Sequence, residues 1–244
     1  MRTRTRTRLL VTTVLSAAVV ALSASLPVRI NGSLWFWLAA CIAGESLWVR
    51  LPLGGATLSM ASCFNFAALL VLPRGEAMVV TALATVLAEL FVMRKPLTRA
   101  VYNAAHTSLA VAAGSWVFVA LGGEGRSLVA LVSALRLDAL IAPALVYYVI
   151  NRGSVVVAIA LSEGIAPAEA WRRNFSNGYE ALSTGAVFSL GALLATHYQG
   201  IGMVGTLLVA LPLLMACDGL RRATESSTRP AEAPPASDSD RRAA

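Results

Sequence analysis

Apolar runs of roughly 20 residues alternate with short polar segments along most of the chain. A helix of about 20 apolar residues can cross a hydrocarbon core about 30 Å thick, because each residue adds about 1.5 Å. The pattern predicts an all-α fold, a polytopic transmembrane helix bundle of about 8 spans, with about 7 as the alternative. The predicted spans are residues 9–27, 34–49, 60–72, 77–93, 102–121, 139–161, 181–198 and 203–216.

Segments at and between the runs complete the predicted organisation. The stretch SLVALVSALRLD, residues 127–138, is too short and too interrupted to cross alone, so we predict a short interfacial or re-entrant helix. The first run follows four arginines and has the form of a cleavable signal peptide, but a retained span suits a chain that is membrane-spanning throughout. Residues 1–222 are the predicted transmembrane helical domain. Residues 223–244 are rich in Pro, Ala, Ser and charge and contain no aromatic residue, which predicts a disordered cytoplasmic tail.

The composition agrees with a membrane protein. Of the 244 residues, 57% are hydrophobic and 14% are charged, and the mean hydropathy is +0.69. Soluble domains carry about 25% charged residues, so a soluble fold is a poor fit. Cys41, Cys63 and Cys217 lie in apolar segments without CxxC spacing and are predicted to be small core residues.

The net charge of +7 is distributed as a topology signal. If the N-terminus is cytoplasmic, the outside turns hold only Arg29, Arg74 and Arg126, beside Arg136 in the predicted interfacial segment. An excess of Lys and Arg on the inside is the positive-inside rule. It predicts a multi-pass protein of the cell membrane with cytoplasmic N- and C-termini, and it argues against a nucleic-acid partner. The inside segments hold Arg2, Arg4, Arg6, Arg8, Arg50, Arg94, Lys95, Arg99, Arg172, Arg173, Arg221 and Arg222.

Motifs of soluble enzymes are missing from the sequence. The stretch GIGMVG, residues 200–205, fits GxGxxG, but no predicted strand precedes it, and its glycines fall in an external turn that enters a span. The two histidines, His106 and His197, form no zinc pattern, and neither a GxSxG elbow nor a phosphate loop occurs. We therefore expect no catalytic residue, no metal site and no cofactor.

Polar residues inside the fourth and fifth runs form the first candidate site. Thr81, Thr85 and Glu89 recur every four residues and so share one helix face. Asn103 begins a small and polar face of the next run, continued by residues 107, 110 and 114, which favours close helix contact. At about 1.5 Å per residue, Glu89 and Asn103 lie at matching depth. We predict that Asn103, with His106 as a further donor, hydrogen-bonds Glu89.

Asn151 and Arg152 lie near the middle of the sixth run. An unpaired guanidinium at that depth costs at least about 2.5 kcal/mol, so Arg152 should pair with a carboxylate, Glu45 or Glu180, or extend along a helix break at NRGS. The predicted ligand-binding or structural polar cluster is Glu89, Asn103, His106, Asn151 and Arg152. A structural clasp and a ligand or proton site both remain open for these residues.

Four stretches carry a family resemblance: LPLGGATLSMASCFNFAALLVLPRGEA, LAELFVMRKPLTRAVYNAAHTSLAVAAG, YYVINRGSVVVAIALSEG and AWRRNFSNGYEALSTG. Their order resembles the bacterial multi-span membrane sensor region found N-terminal to HD-GYP or GGDEF domains of cyclic-di-GMP signalling. The shared features are a Gly-rich turn before the third span, a basic loop followed by YNAAH, and a Trp-basic-Asn-Phe segment. The resemblance covers residues 30–222 and implies an acidic residue at Glu89 and asparagines at Asn103 and Asn151. It implies a sensory-type domain in a bacterial inner membrane, here without the output domain.

Two classes of function follow from these observations, beside a purely structural role. The first is a stand-alone, non-catalytic sensory membrane domain that binds a small or lipid-like ligand, or senses the membrane state, and signals through a partner. The alternative is a small-molecule permease. The partners expected are membrane lipids and a cytoplasmic or membrane signalling protein, and the sequence sets no oligomeric state.

Overall fold

A computed structural model describes residues 2–50, 57–123, 125–176 and 178–227. These ranges form a helical bundle with one short antiparallel β-hairpin, in which Val49 pairs with Leu58. The elements are α1 (Arg2–Ser23), α2 (Gly32–Ser46), β1 (Trp48–Arg50), β2 (Thr57–Ser59), α3 (Ala61–Val71), α4 (Arg74–Leu87), a π-helical segment (Ala88–Val92), α5 (Leu97–Ala120), α6 (Leu128–Ser133), α7 (Asp138–Glu163), α8 (Pro167–Phe175) and α9 (Gly178–Ser227).

Local sequence signals set several helix ends. The Asn31 side chain caps α2 by accepting a hydrogen bond from the Leu34 amide at 2.9 Å. Ser127 caps α6 in the same way, accepting from the Ala130 amide at 3.1 Å. Gly164 ends α7 in the left-handed conformation that glycine adopts without steric cost. Pro167 opens α8 at a position where a helix needs no amide donor.

The centre of the bundle is mostly apolar, and its outside is also apolar. Trp37, Phe64 and Phe66 are among the largest fully buried side chains. Large apolar residues such as Trp116 and Leu145 nevertheless lie more than half exposed on the outer faces of α5 and α7. Water-soluble domains rarely expose large continuous apolar surfaces, whereas a lipid environment accepts them. This distribution is compatible with a membrane protein.

Within the described residues, four helical segments are long and apolar enough to cross a membrane: Thr5–Ser23, Arg74–Val92, Asp138–Glu163 and Glu180–Ala223. The predicted count of about 8 spans is not confirmed. With 15 residues in α2 and 11 in α3, those helices extend only about 22 and 16 Å at about 1.5 Å per residue. The 24 residues of α5 are long enough, but the polar side chains in its first half lower its mean hydropathy.

The last segment contains two helices that meet at Gly202. Its backbone there is non-helical, with φ 71° and ψ −166°, a conformation open to glycine. Tyr198, before this position, donates a hydrogen bond to Ser33 at the start of α2 (2.7 Å), while the Arg221 guanidinium reaches the carbonyl of Ser46 at its end (3.5 Å). The chain therefore reverses direction at Gly202, within the turn predicted for GIGMVG.

Several expectations differ from the observed structure. Residues predicted as a polar connection form the amphipathic helix α8, whose buried Ala170 packs beside Val156 and Ala160 of α7. α7 runs through NRGS as a continuous helix, so the helix break, which was the alternative to an ion pair for Arg152, is absent. The last helix extends to Ser227, past the start of the predicted tail, and residues 228–244 lie outside the described residues. The predicted Gly-rich turn at residues 51–56 also lies outside them.

Candidate functional site

A cavity of about 210 Å³ lies in the middle of the bundle, and all five residues of the predicted cluster line it. Its walls come from α2, α3, α4, the π-helical segment, α5, α7 and α9, so most of the long elements contribute to it. The polar residues that line it are Glu45, Ser62, Asn65, Thr85, Glu89, Asn103, His106, Thr107, Tyr147, Tyr148, Asn151, Arg152, Glu180, Ser183 and Thr184.

Glu89 is the most connected of the predicted residues. Its Oε1 accepts a hydrogen bond from Asn103 Nδ2 at 2.6 Å, which is the contact predicted from the sequence. The same oxygen contacts Lys95 Nζ at 2.5 Å. The Lys95 amide also donates to the Glu89 carbonyl at 2.8 Å, through a tight turn in which Arg94 has φ 53°. The turn between the π-helical segment and α5 thus brings the Lys95 ammonium group to the Glu89 carboxylate, six residues earlier in the chain.

Glu89 lies in the π-helical segment at the end of α4. A π-helical turn inserts an extra residue into the helical repeat. Such turns are rare in proteins, and those that occur are often at functional sites. Glu89 is buried, with 4% of the residue exposed. Its Oε2 has no hydrogen-bond partner within the described part of the chain. One oxygen of this carboxylate therefore remains available at the cavity.

Arg152 forms an ion pair with Glu180, with Nη2 and Oε1 2.7 Å apart. Glu180 is one of the two partners proposed from the sequence, and it lies at the start of α9. The guanidinium also stacks over the ring of Phe175, at 5.2 Å from the centroid. This cation–π contact joins the cavity to α8. The charge is stabilised by a carboxylate and an aromatic face, and the helix around it stays regular.

His106 and Asn151 line the cavity without joining the Glu89 hydrogen bonds. The His106 ring packs at 5.2 Å from the ring of Tyr102 and is buried. Its Nδ1 has no hydrogen-bond partner among the described residues, so the predicted bond from His106 to Glu89 was wrong. One helical turn separates Asn103 from His106, and only the Asn103 side chain reaches the carboxylate.

Sequence reasoning named Thr85 and Glu45 but missed the hydrogen bond between them, and it missed Asn65. Thr85 Oγ1 donates to Glu45 Oε1 at 2.9 Å. Asn65 Nδ2 lies 3.5 Å from Tyr147 Oη, a long contact, and Asn65 Oδ1 has no partner in the described ranges. Asn65 stands in the middle of the third apolar run and Glu45 near the end of the second, so a search for every polar residue inside a run finds both.

More carboxyl groups than cations line the cavity. Among the described residues, Glu45, Glu89 and Glu180 line it together with one cation, Arg152, and Lys95 adds a second cation beside Glu89. In the described part of the chain, no group of three His, Cys, Asp or Glu side chains is arranged to hold a metal ion. All three cysteines are free, with Cys41 and Cys63 buried as core residues.

Helix α8 contacts the cavity wall at two points. Phe175 lies under the Arg152 guanidinium, and the ring of Trp171 meets the edge of Tyr148 at 6.2 Å between centroids. Arg172 and Arg173 lie on the exposed face of the same short helix. The aromatic face of α8 therefore touches two residues that line the cavity, and its basic face is open.

Comparison with known proteins gives no relative for this chain: no family model, no curated protein and no solved structure matches it.

Proposed function

We propose that this protein is a multi-pass membrane sensor with an even number of spans and cytoplasmic termini. It binds a small polar or amphiphilic ligand in the central cavity and signals through a partner at the cytoplasmic surface. The observation that carries the proposal is the cavity itself. Asn65, Glu89 and His106 each place an unpartnered polar atom in its buried wall, within the described part of the chain. Buried polar atoms are costly without a partner, and a bound ligand can supply one.

The route from cavity to surface runs through Arg152 and Tyr148. Both line the cavity, and both contact aromatic residues of α8. A ligand that changes the position of Arg152 relative to Glu180 also changes the contact between the Arg152 guanidinium and the Phe175 ring. Because a ligand signals only if it binds two conformations with different affinity, α8 is the element expected to differ between them. The exposed Arg172 and Arg173 then form the surface that a partner reads.

The permease remains a second candidate, and the discontinuity of the helices around the cavity favours it. α3 is only 11 residues long and follows a hairpin, while α4 ends in the π-helical segment that carries Glu89. Interrupted helices with ionisable residues near mid-membrane are frequent at transport sites. The direct contacts between the cavity and α8 favour the sensor over this alternative.

The test joins a reporter enzyme to the chain. A cyclic-di-GMP output domain grafted after Arg222 should give an enzyme whose activity changes in Asn103→Ala and Phe175→Leu. The matched control is Ser162→Ala, an exposed position on α7 away from the cavity. Equal activity in all variants contradicts the sensor. In proteoliposomes, saturable solute flux that is abolished by Glu89→Gln replaces the sensor with the permease.

The ligand itself is accessible through co-purification. Protein extracted directly into lipid nanodiscs and then denatured should release a compound that is depleted in Asn65→Ala preparations relative to Ser162→Ala preparations. Equal recovery of every compound from both variants contradicts ligand binding in the cavity.

A further inference from the structure

We infer that the cavity ligand is an organic cation with N–H donors, such as a protonated alkylamine, whose hydrocarbon part occupies the adjoining apolar groove. The inference rests on the proposed ligand-binding function and names the chemical class that the site takes.

Two unpartnered atoms of the cavity wall are acceptors. Glu89 Oε2 and Asn65 Oδ1 can only accept hydrogen bonds. Neither has a protein donor in the described ranges. A ligand that satisfies them must donate hydrogen bonds. A primary ammonium group offers three N–H donors from one compact charged atom, whereas a carboxylate or phosphate offers further acceptors.

The charge of the wall selects the same class. The carboxylates of Glu45, Glu89 and Glu180 face two cations, Arg152 and Lys95, and both cations are already paired, with Glu180 and Glu89. The hydrogen-bond partners of Glu45, Thr85 and Asn65, are both neutral. The wall therefore has one more carboxyl group than cations, and a buried carboxyl group without a counter-charge is neutralised by a proton or compensated by a bound cation. A bound ammonium group supplies that cation.

An apolar groove of about 560 Å³ adjoins the polar cavity between α7 and α9. Tyr148, Thr184 and Phe188 line both spaces, so the two lie side by side. The far end of the groove is lined by Ile141 and Leu145, which are more than half exposed. In the proposed membrane arrangement that end opens toward lipid. An amphiphile can therefore enter from the bilayer with its amine directed inward, past aromatic faces that stabilise a cation.

Three probes of equal chain length separate the ligand classes: octylammonium, octyltrimethylammonium and octanoate. Each is titrated into wild-type protein in phosphatidylcholine nanodiscs, and empty nanodiscs correct for partition into lipid. We expect saturable binding of octylammonium at least about tenfold tighter than of either other probe, because only octylammonium has both the charge and the N–H donors. If octanoate or octyltrimethylammonium binds as tightly as octylammonium, the inferred ligand class is wrong, while ligand binding in the cavity is still supported.

Variants locate the two parts of the ligand. Glu89→Gln and Asn65→Ala should each weaken octylammonium binding about tenfold, whereas Tyr198→Phe, at the far end of the bundle, should leave it unchanged. Gly185→Leu adds a side chain to the apolar groove, where the glycine has open space, and should weaken octylammonium without affecting methylammonium. If Glu89→Gln does not fold, Asn65→Ala and the wild-type order of probes decide.

The outcomes also separate this inference from the function on which it rests. No saturable binding of any probe overturns the cation assignment, and the co-purification experiment still decides whether the cavity holds a ligand. Octylammonium binding that is equal in wild type, Asn65→Ala and Gly185→Leu overturns the placement in these two spaces.

Discussion

Replacing Asn103 with alanine should destabilise the bundle by about 1–1.7 kcal/mol. Interhelical hydrogen bonds in membranes average about 0.6 kcal/mol and rarely exceed about 1.7. The Asn103–Glu89 bond belongs at the upper end because its acceptor is a buried carboxylate, the N···O distance is 2.6 Å, and charge-assisted bonds are about twice as strong as neutral ones. Lys95 remains on the same oxygen after the substitution, so Glu89 keeps a counter-charge and the cost stays below that of a broken ion pair.

Removing Glu89 has a larger expected effect. Glu89→Ala deprives both Asn103 and Lys95 of their acceptor, so we expect a loss of about 2–3 kcal/mol. Lys95 is partly exposed and can turn to solvent or lipid headgroups, which keeps the loss below the roughly 3–5 kcal/mol found for fully buried pairs. The double variant should be less destabilised than the sum of the singles by about 1–1.7 kcal/mol, because the shared bond is lost only once.

The assay is reversible unfolding in mixed detergent micelles for wild type, both single variants and the double variant. The control cycle pairs Asn103→Ala with Tyr198→Phe, whose hydroxyl donates to Ser33 at the other end of the bundle. Sites that share no partner should be additive within about 0.5 kcal/mol. A coupling between Asn103 and Glu89 no larger than that of the control cycle would refute the reasoning.

Three further predictions concern packing, charge and topology. Gly191→Ala should destabilise the contact between α3 and α9 by about 1–3 kcal/mol, because the added Cβ meets the Cys63 carbonyl oxygen at 2.6 Å. Gly185→Ala, on the same helix, meets open space and is the control. Equal melting temperatures of the two variants contradict this prediction. Arg152→Ala should lower the free energy of unfolding by about 3 kcal/mol, because the buried Glu180 loses the cation that it pairs with. Arg152→Lys should recover part of the loss. An Arg152→Ala variant as stable as wild type in thermal unfolding disproves the pairing. Topology reporters fused after Arg8, Arg173 and Ala244 should read inside and one after Gly123 outside, as the arginine asymmetry requires, and an outside signal at Ala244 contradicts an even number of spans.

Much of the candidate site was predictable because a polar residue inside an apolar run is costly and has few places to lie. Glu89 and Asn103 could be matched in depth from the rise of a helix alone, and their hydrogen bond is present. The same reasoning narrowed Arg152 to two carboxylates, and Glu180 is its partner. His106 shows the limit of the approach, because depth does not fix direction. Its ring turns to Tyr102, and no hydrogen bond joins it to Glu89 within the described residues.

The sequence by itself determined that the chain is helical, where most helices lie and that Glu89 and Arg152 need polar partners, because hydrophobic period and the cost of buried charge act locally. Only the tertiary structure decided which helices pack together and which of their side chains meet. The pairing of Thr85 with Glu45 and the approach of α8 to Tyr148 and Arg152 depend on helix rotation and neighbour order. Helices in lipid associate through close packing and a few polar contacts. Many neighbour orders therefore satisfy one apolar pattern, and side-chain fit selects among them.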